Sequence, residues 1–222
     1  MPTLSSINKE IISCRKCERL VAWREEVARV KRKAYIDQEY WGRPVPGFGD
    51  PKARILIVGL APGAHGSNRT GRAFTGDASG RFLYPALHRA GLANQPTAES
   101  RSDGLALKDV YISASARCAP PENKPTPEEL NNCEPYLIRE LAILKPKVIV
   151  CLGRIAFERI LRIHSARNLA WKFSHGAVFQ LQPSGIWLLC SYHPSQQNTL
   201  TGKLSAKMFD EIWAKAKELV GG

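Results

Sequence analysis

Four of the six cysteines sit where thiols can act together. Cys14 and Cys17 form a C-x-x-C within the basic stretch CRKC, and Cys118 and Cys133 follow with fourteen residues between them. A C-x-x-C presents two thiolates to one metal centre, and two further cysteines complete a four-sulfur set, for tetrahedral zinc or for an iron–sulfur cluster. Spacing alone leaves zinc and iron–sulfur open. The plainer reading is four buried thiols, although an unliganded pair in so basic a setting would be reactive. Cys151 in VIVCLG and Cys190 in WLLCSY lie in apolar runs and read as small buried hydrophobes. The second concentration of chemistry is GLAPGAHGSNRTGRAFTGDASG. Between Gly59 and Gly80 it holds six glycines, one proline, two arginines, and one each of histidine, asparagine and aspartate, a composition that brings backbone close to a ligand.

The elements that must position these residues follow from the apolar pattern. RILIVG, ahead of the glycine-rich loop, reads as a buried parallel strand from Ile55 to Leu60, broken only by Gly59. A second strand runs from Val110 to about Ser115, VIVCLG is a third, and HGAVFQLQ with IWLLCSYH forms a hairpin whose second arm is the last strand of the sheet. Residues from about Leu4 to Lys33 form two helices with CRKC between them, and Leu20, Val21, Trp23, Val27 and Val30 recur on the packed face of the second. Helices are also expected from about Arg81 to Gly91, after the Thr126 cap and Pro127, and from about Lys203 to Val220. Pro135 is expected to bend or restart the one after Thr126, and Leu204, Met208, Ile212, Lys215 and Leu219 lie near one face of the last. Four strands interleaved with helices predict an α/β fold in one domain over residues 1–222, with a mostly parallel sheet covered on both sides. GLAPG, ARCAPPEN and SYHPS, each at a strand end, would then face one cleft, where open α/β sheets bind their ligands.

Lysine and arginine number 32 against 20 acidic residues, a net charge of +12 spread along the chain. That excess favours a polyanionic partner through counterion release, with a solvated basic surface as the plain alternative. No run approaches 18 apolar residues, and Ser5, Asn8, Lys9 and Glu10 interrupt the amino terminus, so a cytoplasmic protein with no membrane span and no signal peptide is expected. No long apolar face is left over, which points to a monomer. A nucleotide hydrolase is a weak reading, because GxxxxGK[ST] and an acidic pair for Mg²⁺ are both absent.

The blocks CRKC, EYWGRPVPGFGDP, GLAPGAHGSNRTGRAFTGDASG, RCAPPENKPTPEEL and SYHPSQQNTLTGKL, in that order, cover nearly the whole chain. Together they make it resemble a family 5 (type B) uracil-DNA glycosylase, of the kind found in thermophilic bacteria and archaea, and more distantly the family 4 enzymes. The resemblance implies the three-layer α/β/α fold of the uracil-DNA glycosylase superfamily. It also implies a [4Fe–4S] cluster on Cys14, Cys17, Cys118 and Cys133 that ties the amino-terminal helices to the loop after the second strand.

A glycosylase extrudes the damaged nucleotide, holds its base and cleaves the N-glycosidic bond. On the resemblance, Phe74 in GRAFTG stacks on the flipped base; without it, a core aromatic is as good a reading. Asn123 in PPENK suits the O4 and N3–H of uracil through one amide, or else caps a turn. His193 in SYHPS would donate to O2 as charge develops on the leaving base. Asp77 in FTGDASG would hold water or counter the cationic sugar, in competition with a role as N-cap. Gly63 and Ala64 would supply backbone groups to the base. Small Ala61 and Ala64 fit the tolerance of family 5 for deaminated purines such as hypoxanthine. His65, Ser67, Asn68, Arg69 and Arg72 are expected at the phosphates of DNA containing deaminated bases, and Gln197 or Leu200 as the plug left in the duplex. The competing expectation is a non-catalytic iron–sulfur or zinc protein that binds damaged or single-stranded DNA.

Overall fold

The computed structural model describes residues 2–166 and 170–221. Its centre is a run of apolar pentads, β2 (Ile55–Gly59), β3 (Val110–Ala114), β4 (Val148–Leu152) and β6 (Trp187–Ser191), paired in parallel in the order β3-β2-β4-β6. Every residue of β2 and β4 is buried, as strands covered on both faces require. Two short antiparallel edges complete six strands: β1 (Phe48–Gly49) against β3, and β5 (Val178–Gln180) against β6. The sheet therefore has six strands where four were expected, while the parallel core and the carboxyl-terminal hairpin are as the pattern implies.

Alternation along the strands sorts the core into two layers. Ile55, Ile57, Ile112, Val150 and Leu189 pack against α4 (Ala78–Arg89) and α8 (Ala206–Gly221), whereas Leu56, Val58, Ile149, Cys151, Leu188 and Cys190 pack against α5 (Pro127–Leu144) and α6 (Arg154–Ile163). This is a three-layer α/β/α arrangement. Cys151 and Cys190 face each other across β4 and β6 as buried thiols, the role their apolar surroundings predict.

Three local expectations need correction. In α8 the buried face is Phe209, Ile212, Trp213, Ala216 and Val220, one position on from the face read in sequence; Lys215 and Leu219 border it. In α2 (Glu18–Val30) only Leu20, Arg24 and Val27 are buried, and Trp23 and Val30 are exposed, because this helix packs around a buried guanidinium and not an apolar stripe. Pro135 does not restart α5, which runs through it as one helix started by a Thr126 capping box with Glu129 and by Pro127 at the first turn. Glu134 pairs with Arg159 and Arg162 on α6 beside that proline. Among the described residues no helix is long and apolar enough to cross a membrane.

Candidate active site

Because β2, β3 and β6 run parallel, their carboxyl ends emerge on one edge, and the loops that follow them enclose a cavity of about 760 Å³. Its walls include Gly63 and Ala64 after β2, Asn123 after β3, His193 after β6, and Phe74 and Asp77 from the glycine-rich loop. The structure thus brings together in one place all six residues assigned to the base and the reaction.

Phe74 is held at φ +51, a backbone conformation that a bulky side chain rarely adopts. Its N–H donates to Ser67 Oγ at 3.0 Å, and its carbonyl lies so close to Gly80 that a Cβ there would sit 1.8 Å away. Strain of this kind persists where the surroundings over-determine it, and it points to function. Here it turns the Phe74 ring over the end of β2, with its centroid 5.8 Å from that of His193 and the planes tilted by 33°.

Asp77 both caps and faces the cavity. One carboxylate oxygen accepts the Gly80 N–H at 2.9 Å as the N-cap of α4. The other lies against Gly63 and Gly66, and a Cβ on Gly66 would fall 1.9 Å from it, so the close approach requires glycine there. Burial raises the Asp77 carboxyl above its ordinary range, opposed by the Gly80 N–H and by Arg81. The cap expected from the sequence is present, and it uses only one of the two carboxylate oxygens.

His193 follows β6, its carbonyl fixed by the Asn198 amide at 2.8 Å. Neither ring nitrogen bonds to a described residue. Burial lowers the imidazole to about 4, so it is neutral above roughly pH 5 and still carries one N–H. Asn123 sits at φ +58 beside Glu122 at φ +53, two left-handed residues in a short 3₁₀ turn, Pro121–Asn123. Its amide makes no hydrogen bond to a described residue, so it caps nothing. Gly63 and Ala64 likewise make no hydrogen bond through their N–H groups.

The expected phosphate ligands divide. His65 lines the cavity with Nδ1 3.0 Å from the Tyr40 hydroxyl, and burial, Arg32 and Arg69 lower its pKa. The other four are turned inward, so their assignment to phosphate is corrected. Ser67 holds the Phe74 N–H, and Asn68, with no exposed surface, donates to the Arg24 carbonyl at 3.2 Å. Arg69 clamps the His65 and Gly76 carbonyls at 2.8 Å each, and Arg72 is paired with Asp103 at 2.7 Å and with Thr75 Oγ1 at 2.9 Å. A loop this rich in glycine has little side-chain volume to pack, and its polar residues supply the internal bonds that fix it. Two cations that do reach the rim are Arg32 and Arg81, both exposed; in sequence the first lies near the end of the second expected helix and the second at the start of another. Gln197 lines the rim on α7 (Gln196–Leu200), and Leu200, 77% exposed, projects at the end of that short helix.

Cys14 and Cys17 lie at the facing ends of α1 (Leu4–Ser13) and α2, Cys118 follows β3, and Cys133 is carried by α5; all four line one small cavity of about 10 Å³. N–H groups face two of the sulfurs. Arg24 Nη1 lies 3.3 Å from Cys118 Sγ, and Asn132 Nδ2 lies 3.5 Å from Cys17 Sγ. Arg24 is 2% exposed, and among the described residues its Nε has no partner and the carboxylate paired with it, on half-exposed Glu25, is 3.6 Å away. Burial pushes the Cys118 thiol up to about 12 and raises Cys17 and Cys133 as well. A buried cation aimed at neutral thiols is poorly compensated, and the same cation aimed at thiolates bound to metal is well placed. The donor set therefore fits an anionic sulfur-bound centre.

A parallel-centred α/β/α sheet with a half-buried aromatic, a carboxylate and a histidine at its carboxyl edge is accompanied by a family match: the model described as the uracil DNA glycosylase superfamily covers residues 46–217. The chain belongs to that superfamily. Within it, the sequence is 57% identical over 212 residues to the type-5 uracil-DNA glycosylase of Thermus thermophilus, covering 95% of each chain. It is 52% identical to the type-5 enzyme of Mycobacterium leprae, over 99% of this chain and 96% of that one. The type-4 uracil-DNA glycosylase of Archaeoglobus fulgidus is 34% identical over 88% of this chain and 83% of its own.

Proposed function

We propose that the protein is a monofunctional DNA glycosylase that hydrolyses the N-glycosidic bond of uracil flipped out of DNA, leaving an abasic site. The observation that carries this reading is the placement of the Asp77 oxygen that lies against Gly63 and Gly66, and of the His193 ring, which has no hydrogen-bond partner among the described residues, on the walls of one cavity beside the strained Phe74. In this cavity Phe74 stacks on the base, and the Asn123 amide reads its edge. The neutral His193 N–H donates to O2 as negative charge moves onto the leaving base. The Asp77 carboxylate orients water and balances the positive sugar, and Leu200 or Gln197 fills the space left in the duplex. The small Ala61 and Ala64 on the wall of a 760 Å³ cavity leave room for deaminated purines such as hypoxanthine, and this is the supported extension of substrate range.

Cys14, Cys17, Cys118 and Cys133 would hold a [4Fe–4S] cluster that joins α1, α2, α5 and the loop after β3, a tie that is structural in this proposal. The chain's own contribution is the N–H donors of Arg24 and Asn132 toward the sulfurs.

His193→Ala tests the reading. Excision of uracil falls by about 10²–10³-fold, the loss of one donor to developing charge, while affinity for uracil-containing duplex stays within about threefold. Unchanged turnover, or loss of affinity equal to loss of turnover, overturns the assignment and favours a DNA-binding module.

A further inference from the structure

A second cavity of about 750 Å³ adjoins the first, with Tyr35 and Arg81 on the walls of both. Trp41 forms its aromatic wall and is firmly seated. Its N–H donates to the Arg69 carbonyl at 2.8 Å, its indole N–H to the Pro44 carbonyl at 3.1 Å, and Gly71, at φ +75, lies close against the ring. The Arg101 guanidinium stands 4.1 Å from the Trp41 ring centroid and that of Arg43 5.6 Å away. Arg43, Arg81 and Arg101 are exposed, and none forms an ion pair with a carboxylate of the described residues. They contrast with Arg69 and Arg72, which the loop consumes internally. Two carboxylates, Glu39 and Glu99, also line this cavity and would turn a phosphate toward the arginines.

We propose that this cavity is a second nucleotide subsite, which takes the nucleotide next to the flipped one on the same strand. Its base stacks on Trp41, and its phosphate is held by Arg81 and Arg101. A rigid aromatic platform beside unpaired cations is the arrangement that binds single-stranded nucleic acid, and continuity with the base cavity through Tyr35 and Arg81 sets which nucleotide arrives there. The inference deepens the glycosylase reading and rests on it.

The test uses short single-stranded oligonucleotides with one uracil and with zero to three nucleotides on its 5′ or its 3′ side. For the wild type, kcat/KM rises about tenfold when the first neighbour is added on one side, the scale of one stacked base. Trp41→Ala and Arg101→Glu abolish that rise and leave the rate on the oligonucleotide lacking the neighbour within about twofold, while Trp41→Phe retains it. Since Trp41→Ala also removes a packed ring, the exposed Arg101→Glu guards against a folding artefact. A rise that survives both variants, or equal slowing on every substrate, overturns the subsite. If the wild type excises nothing from any oligonucleotide, the glycosylase reading has failed. Fluorescence anisotropy with the same oligonucleotides then decides the subsite separately: loss of the length-dependent step in affinity in both variants supports it, and persistence overturns it.

Discussion

The base cavity and the cysteine cavity share Arg117 as a wall, yet they are built in opposite ways. In the first, about 760 Å³, the His193 ring and the Asn123 amide have no hydrogen-bond partner among the described residues, Asp77 commits one oxygen to the Gly80 N–H, and the backbone that carries these groups is strained at Phe74, Glu122 and Asn123. In the second, about 10 Å³, the polar groups are aimed at the sulfurs. The buried Arg117 between them is neutralised by Glu140 and also donates to Ser113 at the floor of the base cavity. Unpaired groups around a large space suit an occupant that comes and goes, whereas donors aimed at two of the four sulfurs suit one that stays.

The comparison can be broken first at Asp77. Asn is as good an N-cap as Asp, so Asp77→Asn removes the charge and keeps the start of α4. Turnover should fall about 10²–10⁴-fold with Tm within about 2 °C of wild type. A parallel loss of Tm would show that Asp77 serves the helix alone. If Asp77 acts as proposed, the same residue sets the acid limb of activity. Its pKa is raised by burial, so as pH falls the carboxylate is protonated, and activity lost, at a higher pH than for an ordinary aspartate. His193, at about 4, keeps its N–H across that range. The acid limb of kcat/KM should therefore disappear from the residual activity of Asp77→Asn, as a pH–rate profile would show.

On the other side of the comparison, Cys133→Ser should remove iron and visible absorption from the purified protein and lower Tm by about 10 °C or more, since binding energy at a resident metal centre is folding energy. An unchanged Tm would mean that the four sulfurs hold nothing. A smaller and sharper effect is expected at Arg24. With thiolates as its partners, Arg24→Met loses charge-assisted bonds of about 1.5–3 kcal/mol, or roughly 4–8 °C in Tm for a chain of this size. With neutral thiols, removal of a buried guanidinium carrying an orphan Nε would be neutral or stabilising. Thermal unfolding of this variant separates the two.

The parallel core, the order of helices and the three loops at one edge were legible because periodic apolar runs and Pro, Thr and Gly punctuation act locally. Of the two edge strands, β5 was legible as the first arm of the hairpin, but β1 was not: it has two residues and no apolar period, and only its pairing with Ile112 and Tyr111 defines it. At the site, residue type marked His193 and Asn123 as candidates and the resemblance to family 5 marked Phe74 and Asp77, but type cannot tell a surface arginine from one folded into its own loop. Arg69 and Arg72 read as phosphate ligands for that reason, while Gly76, Asp103 and Thr75, their actual partners, lie up to 31 residues away. Arg24 was hidden in the opposite way, as one charge among many on a helix whose other charged residues face solvent.

The most direct test of the central claim is excision with EDTA present, on end-labelled duplexes that carry a single uracil or a single hypoxanthine, followed by hot alkali. Strand scission only after alkali, with uracil and with hypoxanthine, is the result expected of a monofunctional glycosylase with a roomy base cavity and no divalent metal in its chemistry. No scission from a preparation that still binds the same duplex would contradict it, and the cavity at the end of β2 would then be a binding site without a reaction.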